Sequence, residues 1–166
     1  MSSDHAALHL QKQLRELTKK PVPGFSAGLA DGNIFEWDVI IWGPPETIYE
    51  GGIFKARLSF PKDYPMMPPK MRFITPMWHP NIYEDGRVCI SILHAPGDDQ
   101  YGYESASERW RPVHTIETIL ISVISMLSSP NDESPANIEA AVMWRNDIKA
   151  FKRKVRRTID DAVDYL

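Results

Sequence analysis

Between Phe35 and Phe60 the chain twice places large apolar residues at every second position. Phe35, Trp37, Val39 and Ile41 alternate with Glu36, Asp38 and Ile40, and Phe54, Ala56, Leu58 and Phe60 alternate with Lys55, Arg57 and Ser59. A period of two sends alternate side chains to opposite faces of a pleated strand, so both stretches predict strands with one buried face. Gly43-Pro44-Pro45 and Gly51-Gly52 punctuate them as turns. The region from Phe25 to Phe73 therefore reads as an antiparallel meander that needs a cover on one side only.

Helices on either side of this region supply the cover. Ala7, Leu10, Leu14 and Leu17 recur at three- and four-residue spacing, Ser3 or Asp4 can cap the start, and Pro21 bounds the end. The other side of that helix carries Lys12, Arg15, Lys19 and Lys20, by default a solvated face. After Phe73 the chain is proline-rich and irregular as far as Trp110. Thr115 then caps a helix in which Ile116, Ile119, Leu120, Val123 and Leu127 share one side, with Thr118, Ile121 and Ser125 opposite. An outward isoleucine such as Ile121 is either incidental or part of a docking patch. A last helical region is expected from about Pro135 to the end, with Ile148, Phe151, Val155 and Ile159 as its apolar stripe. Lys152, Arg153, Lys154, Arg156 and Arg157 between them read as solvated. Helix, strands, then helices define an α+β chain, read as one domain over residues 1–166.

A net charge of -3 gives no overall attraction to nucleic acid or to an anionic membrane. No run approaches the eighteen apolar residues of a membrane span, so any membrane association is expected to come through a partner. With one cysteine, Cys89, an internal disulfide is impossible, and no Cys/His cluster offers a metal site. That usage suits a reducing, cytoplasmic setting. Cys89 sits in the apolar run Val88-Cys89-Ile90, where the default reading is a core thiol. A cysteine hydrolase would need a poised histidine; His79, His94 and His114 are available, but none lies in a hydrolase pattern. The residues alone leave the role of Cys89 open.

Four segments, in this order and spacing, carry a resemblance: "FPKDYPMMPPKMRF", "HPNIY", "GRVCISIL" and "WRPVHTIETILISVISMLSSPN". Together they resemble the catalytic domain of ubiquitin-conjugating enzymes. With the flanking helices the match covers almost the whole chain. The resemblance implies the family fold: an N-terminal helix, a four-stranded antiparallel meander, an irregular active-site segment, a central helix and C-terminal helices. It implies that Cys89 takes the ubiquitin C-terminus from the activating enzyme as a thioester and yields it to a lysine. Even an unperturbed thiol, with a pKa of about 8.5, suffices against an already activated thioester. Asn81 matches the family asparagine that stabilises the oxyanion of lysine attack or holds the surrounding loop; the bland alternative is an Asx-turn at Pro80-Asn81. His79 and Pro80 match parts that hold the loop. Ser134 stands where the family carries an acid near the lysine's approach, so Asp132, Glu133 or an acid from another loop has to serve.

The same resemblance places ligase contacts at Pro65, Met66, Arg111 and Pro112, and an activating-enzyme contact at Lys12. Leu8 and His9 stand where basic residues are usual. Ile121 and Ser125 match the face that receives the donor ubiquitin. No cofactor is expected on this chain, since the activating enzyme consumes the ATP, and the expected partners are ubiquitin, that enzyme and a RING-type ligase. A monomer without nucleic acid or direct membrane insertion is implied. Between Leu93 and Trp110 lies "HAPGDDQYGYESASER", with Asp98, Asp99, Glu104 and Glu108. Such an acidic insertion resembles the class that serves degradation from the endoplasmic reticulum, which implies recruitment to that surface by partners and substrates bound for the proteasome. Other readings are a conjugating enzyme for another ubiquitin-like modifier, a binding-only variant of the fold, and an unrelated cysteine hydrolase.

Overall fold

A computed structural model describes residues 3–96 and 109–165. Helix α1 spans Ser3–Lys19, strands β1 to β4 span Phe25–Ala30, Asn33–Trp42, Ile53–Ser59 and Lys70–Phe73, and helices α2, α3 and α4 span Ile116–Ser128, Ile138–Asn146 and Ile148–Asp161. The four strands pair antiparallel in the order β1-β2-β3-β4, the expected meander. In the register, Val39 faces Ala27 on one side and Ala56 on the other. Trp37, Val39 and Ile41 are buried, and so are Phe54, Ala56 and Leu58, so the period of two reports the buried face correctly. On the other face Arg57 donates to Asp38 at 2.9 Å and Ser59 to Glu36 at 2.6 Å, a polar cross-strand ladder.

Helix α2 begins where Thr115 predicts. The Thr115 side chain accepts the Thr118 N–H, and Thr118 Oγ1 accepts the Thr115 N–H at 2.9 Å, a reciprocal cap for two otherwise orphaned donors. Its Ile116, Ile119, Leu120 and Val123 join the sheet's inner face in one core. The stripe of α1 differs from the expected one. Ala6, Leu10 and Gln13 are its buried residues, while Ala7 is only half-buried. Gln13 earns burial by satisfying both ends of its amide: Nε2 donates to Tyr64 Oη at 2.8 Å, and Oε1 accepts the Ile116 N–H at 2.8 Å. One polar side chain thus ties α1, the loop after β3 and the first turn of α2 together.

The last helical region is not continuous from Pro135. Asn137 and Asp147 each turn a side-chain oxygen onto a backbone N–H three residues ahead, Ala140 and Ala150. These caps start α3 at Ile138 and separate it from α4, because a capping residue sits outside helical geometry. Between β4 and α2 the chain folds back on β4. The Gly86 carbonyl accepts the Phe73 N–H at 2.8 Å, and Val88 N–H donates to the Met71 carbonyl at 3.1 Å. Gly86 has φ +96°, and a Cβ there would lie 2.1 Å from the Phe73 oxygen, so only glycine fits.

Candidate active site

His79, Pro80 and Asn81 are all buried, and each bonds to a different point between the end of α2 and the start of α3. His79 Nδ1 accepts the Asn81 N–H at 2.9 Å, which leaves the proton on Nε2 to donate to the Met126 carbonyl at 2.9 Å. That carbonyl lies in the last turn of α2, where the helix supplies no partner. Burial pulls the His79 imidazole down to about 4, against a smaller upward pull from Met126. It is therefore neutral at physiological pH and built in as a strut. The Pro80 carbonyl accepts the N–H groups of Ala136 and Asn137 at 2.8 and 3.0 Å.

Asn81 completes the clamp. Its Nδ2 donates to the Asn131 carbonyl at 2.6 Å and its Oδ1 accepts the Asn131 N–H at 2.8 Å. Only one orientation of the amide satisfies both bonds, so the geometry fixes which end is nitrogen. The contact spans fifty residues of sequence and is not the local Asx-turn considered above. An amide nitrogen carries two hydrogens, so one donor remains beyond the bond to Asn131.

Cys89 hangs from this clamp. Its N–H donates to the Asn81 carbonyl at 2.9 Å, beside an antiparallel bridge between Ile82 and Val88. The side chain is half-buried, not sealed in the core. It opens onto a cleft of about 930 Å³ shared with Asn81, Ile121, Ser125, Glu133 and Ser134. Five residues read from sequence as site residues, Cys89, Asn81, Ile121, Ser125 and Ser134, thus meet around one space. Ile121 is 47% exposed there, on the outward face of α2. Of the three histidines only His94 approaches the thiol, with Nε2 3.9 Å from Sγ. The His94 carbonyl also accepts the Trp110 N–H at 3.0 Å, which closes the neck of the insertion five residues from Cys89. Its acids Asp98, Asp99, Glu104 and Glu108 lie outside the described residues.

The acids beside Ser134 differ in availability. Asp132 is held by Arg145, whose Nε donates to Oδ2 at 2.6 Å, and that hydrogen bond lowers the carboxyl below its usual range. Glu133 faces the cleft. Pro65 is buried, and its carbonyl accepts the Trp110 indole N–H at 2.8 Å. That bond joins the two loops expected to meet a ligase. Met66, Arg111 and Pro112 are exposed, together with Met67 and Val113, which the sequence reading passed over. Helix α1 adjoins them through the His9–Tyr64 ring contact at 5.6 Å, with Lys12 and Leu8 exposed. Among the described residues no three His, Cys, Asp or Glu side chains are placed to hold a metal. No helix among them is long and apolar enough to cross a membrane.

The family model for ubiquitin-conjugating enzymes matches residues 9–159. The chain belongs to the ubiquitin-conjugating enzyme family. It is 62% identical to ubiquitin-conjugating enzyme E2 14 of Arabidopsis thaliana, over 100% of both chains. It is 53% identical to ubiquitin-conjugating enzyme E2 G2 of Homo sapiens, over 95% of this chain and 96% of that one. A solved structure of human ubiquitin-conjugating enzyme E2 G1 superposes with a TM-score of 0.66 at 59% identity, covering 75% of this chain and 95% of that chain. The enzyme is a transferase of ubiquitin that works between an activating enzyme and a ligase, on the fold the sequence implied. The hydrolase and binding-only readings fall with that assignment.

Proposed function

We propose that Cys89 is the thiol that carries ubiquitin. Its sulfur attacks the carbonyl of ubiquitin's C-terminus on the activating enzyme and displaces that enzyme's thiolate. A lysine amine then attacks the new thioester, loses a proton, and expels the Cys89 thiolate as the isopeptide bond forms. The observation that carries this reading is the opening of Cys89 and exposed Ile121 onto one cleft, because the donor ubiquitin can cover Ile121 while its tail reaches the sulfur. Asn81 holds the rim through Asn131, and its second amide hydrogen is available to the oxyanion. The acid that receives or orients the lysine is Glu133 rather than Asp132, which Arg145 occupies.

Met66, Met67 and Val113 offer an apolar surface for a RING-type ligase, and Lys12 on α1 serves the activating enzyme. The enzyme acts as a monomer, holds no cofactor, and works in the cytoplasm at the endoplasmic reticulum surface, where partners recruit it to substrates bound for degradation. The acidic insertion after Leu93 supports that class. Single-turnover discharge of the ubiquitin-charged enzyme to free lysine tests the assignment of the acid. Glu133→Gln should discharge roughly tenfold or more slowly with unchanged charging, in keeping with general-base contributions of about 10²-fold and above. An effect seen with Asp132→Asn and not with Glu133→Gln would overturn it.

A further inference from the structure

The last helix carries a charge distribution that ubiquitin transfer at Cys89 does not use. Helix α4 holds six cations and two carboxylates, net +4, on a chain of net charge -3, so the remaining residues sum to -7. Its apolar stripe is spent on the core through Phe151 and Val155. Lys154 leaves the cationic face and lies over the Trp78 ring, 3.6 Å from its centroid. Lys149, Lys152, Arg153, Arg156 and Arg157 are exposed at helical spacing on one side, and no carboxylate among the described residues pairs with any of them. Lys152, Arg153, Arg156 and Arg157 line a shallow concavity of about 520 Å³ with no acid in its wall. The nearby carboxylate of Glu50 turns instead to the Glu46 backbone N–H at 3.3 Å.

We propose that this face of α4 is a docking site for a short acidic peptide segment of a protein partner. Five unpaired cations within about two and a half turns repel each other and gain from an anion that bridges them. The occupant follows from the length of the stripe and from what bounds it. Residues 149 to 157 span about 12 Å along the axis, at 1.5 Å per residue, which an extended peptide covers with about four residues at 3.3 Å each. Asp147 lies before the stripe and Asp160, Asp161 and Asp164 after it, all exposed. A nucleic-acid duplex or a membrane surface reaches well past 12 Å and would run over these acids. A run of about four Asp and Glu residues would not.

Fluorescence anisotropy with a labelled peptide containing four consecutive Asp/Glu residues tests the site, with a neutral Asn/Gln peptide, a labelled oligonucleotide and anionic phospholipid vesicles as parallel arms. The intact enzyme should bind the acidic peptide at low salt, bind the neutral peptide at least tenfold more weakly, and lose affinity steeply as salt shortens the screening length to about 8 Å. Arg153→Glu/Arg156→Glu should weaken the acidic peptide at least tenfold while ubiquitin charging at Cys89 stays unchanged, which shows the variant folded. Acidic-peptide binding unaffected by the double change, no acidic-peptide binding at low salt, or stronger binding to oligonucleotide or vesicles would each overturn the proposal.

Discussion

Replacing Asn81 by alanine removes the two bonds that hold the Asn131 backbone, of 2.6 and 2.8 Å, from a side chain only 3% exposed. At about 0.5–1.5 kcal/mol net for each hydrogen bond, the fold should lose about 2 kcal/mol. For a chain of this size that lowers the melting midpoint by about 4–8 °C, small beside a stability of about 5–15 kcal/mol. The variant should therefore stay folded at 25 °C and accept ubiquitin from the activating enzyme at close to the normal rate. What it loses is the placement of the cleft rim, where Glu133 and Ser134 follow Asn131, together with the spare amide donor. Misplacement by about 1 Å can cost on the order of 10²-fold, so discharge to lysine should slow by roughly 10- to 100-fold. Calorimetry gives the midpoint, and single-turnover charging and discharge give the two rates. Discharge at the normal rate alongside a lowered midpoint would refute the catalytic part. Equal loss of charging and discharge would refute the separation of the two steps.

Two further outcomes follow from buried groups. The folded His79 has its pKa lowered from 6.5 to about 4, so its stabilising contribution is complete above pH 6.5 and is lost as pH falls toward 4, by about 3 kcal/mol in all. In urea titrations at pH 7 and pH 4, His79→Gln should be less acid-sensitive than the parent by about that amount; equal sensitivity would contradict the neutral strut. Gln13→Ala leaves the Ile116 N–H without its buried acceptor and the Tyr64 hydroxyl oxygen without its buried donor and should cost about 2–4 kcal/mol in the same titration; a cost below about 0.5 kcal/mol would show that water replaces the amide.

The meander was legible because Trp37, Val39 and Ile41 obey a period that the buried sheet face enforces residue by residue. The start of α2 was legible because a cap is a local bond, here between Thr115 and Thr118. The start of α3 and its break from α4 rest on equally local caps at Asn137 and Asp147, and attention to capping residues along the apolar stripe would have found them. The role of Gln13 was not legible. A glutamine on an apolar helix face declares its partners only when Tyr64 and Ile116, up to 103 residues away, are brought to it. For the same reason no pattern near His79-Pro80-Asn81 announces Met126, Ala136 or Asn131. Nor does the sequence around Asp132 announce its hydrogen bond with Arg145, thirteen residues further along on α3. Family resemblance supplied the positions of Pro65 and Met66, but burial separates them: the proline braces Trp110, and the methionine faces outward.

The most direct measurement is charging with ubiquitin, its activating enzyme and ATP, resolved with and without reductant. Cys89 is the one thiol in the chain, so the unaltered enzyme should form one ubiquitin adduct that reductant removes. Cys89→Ser should give an ester that survives reductant and is cleaved by base, and Cys89→Ala should give no adduct. A reductant-sensitive adduct on Cys89→Ala, or no adduct on the unaltered enzyme under conditions that charge a relative such as human E2 G2, would contradict the assignment of Cys89 as the carrier.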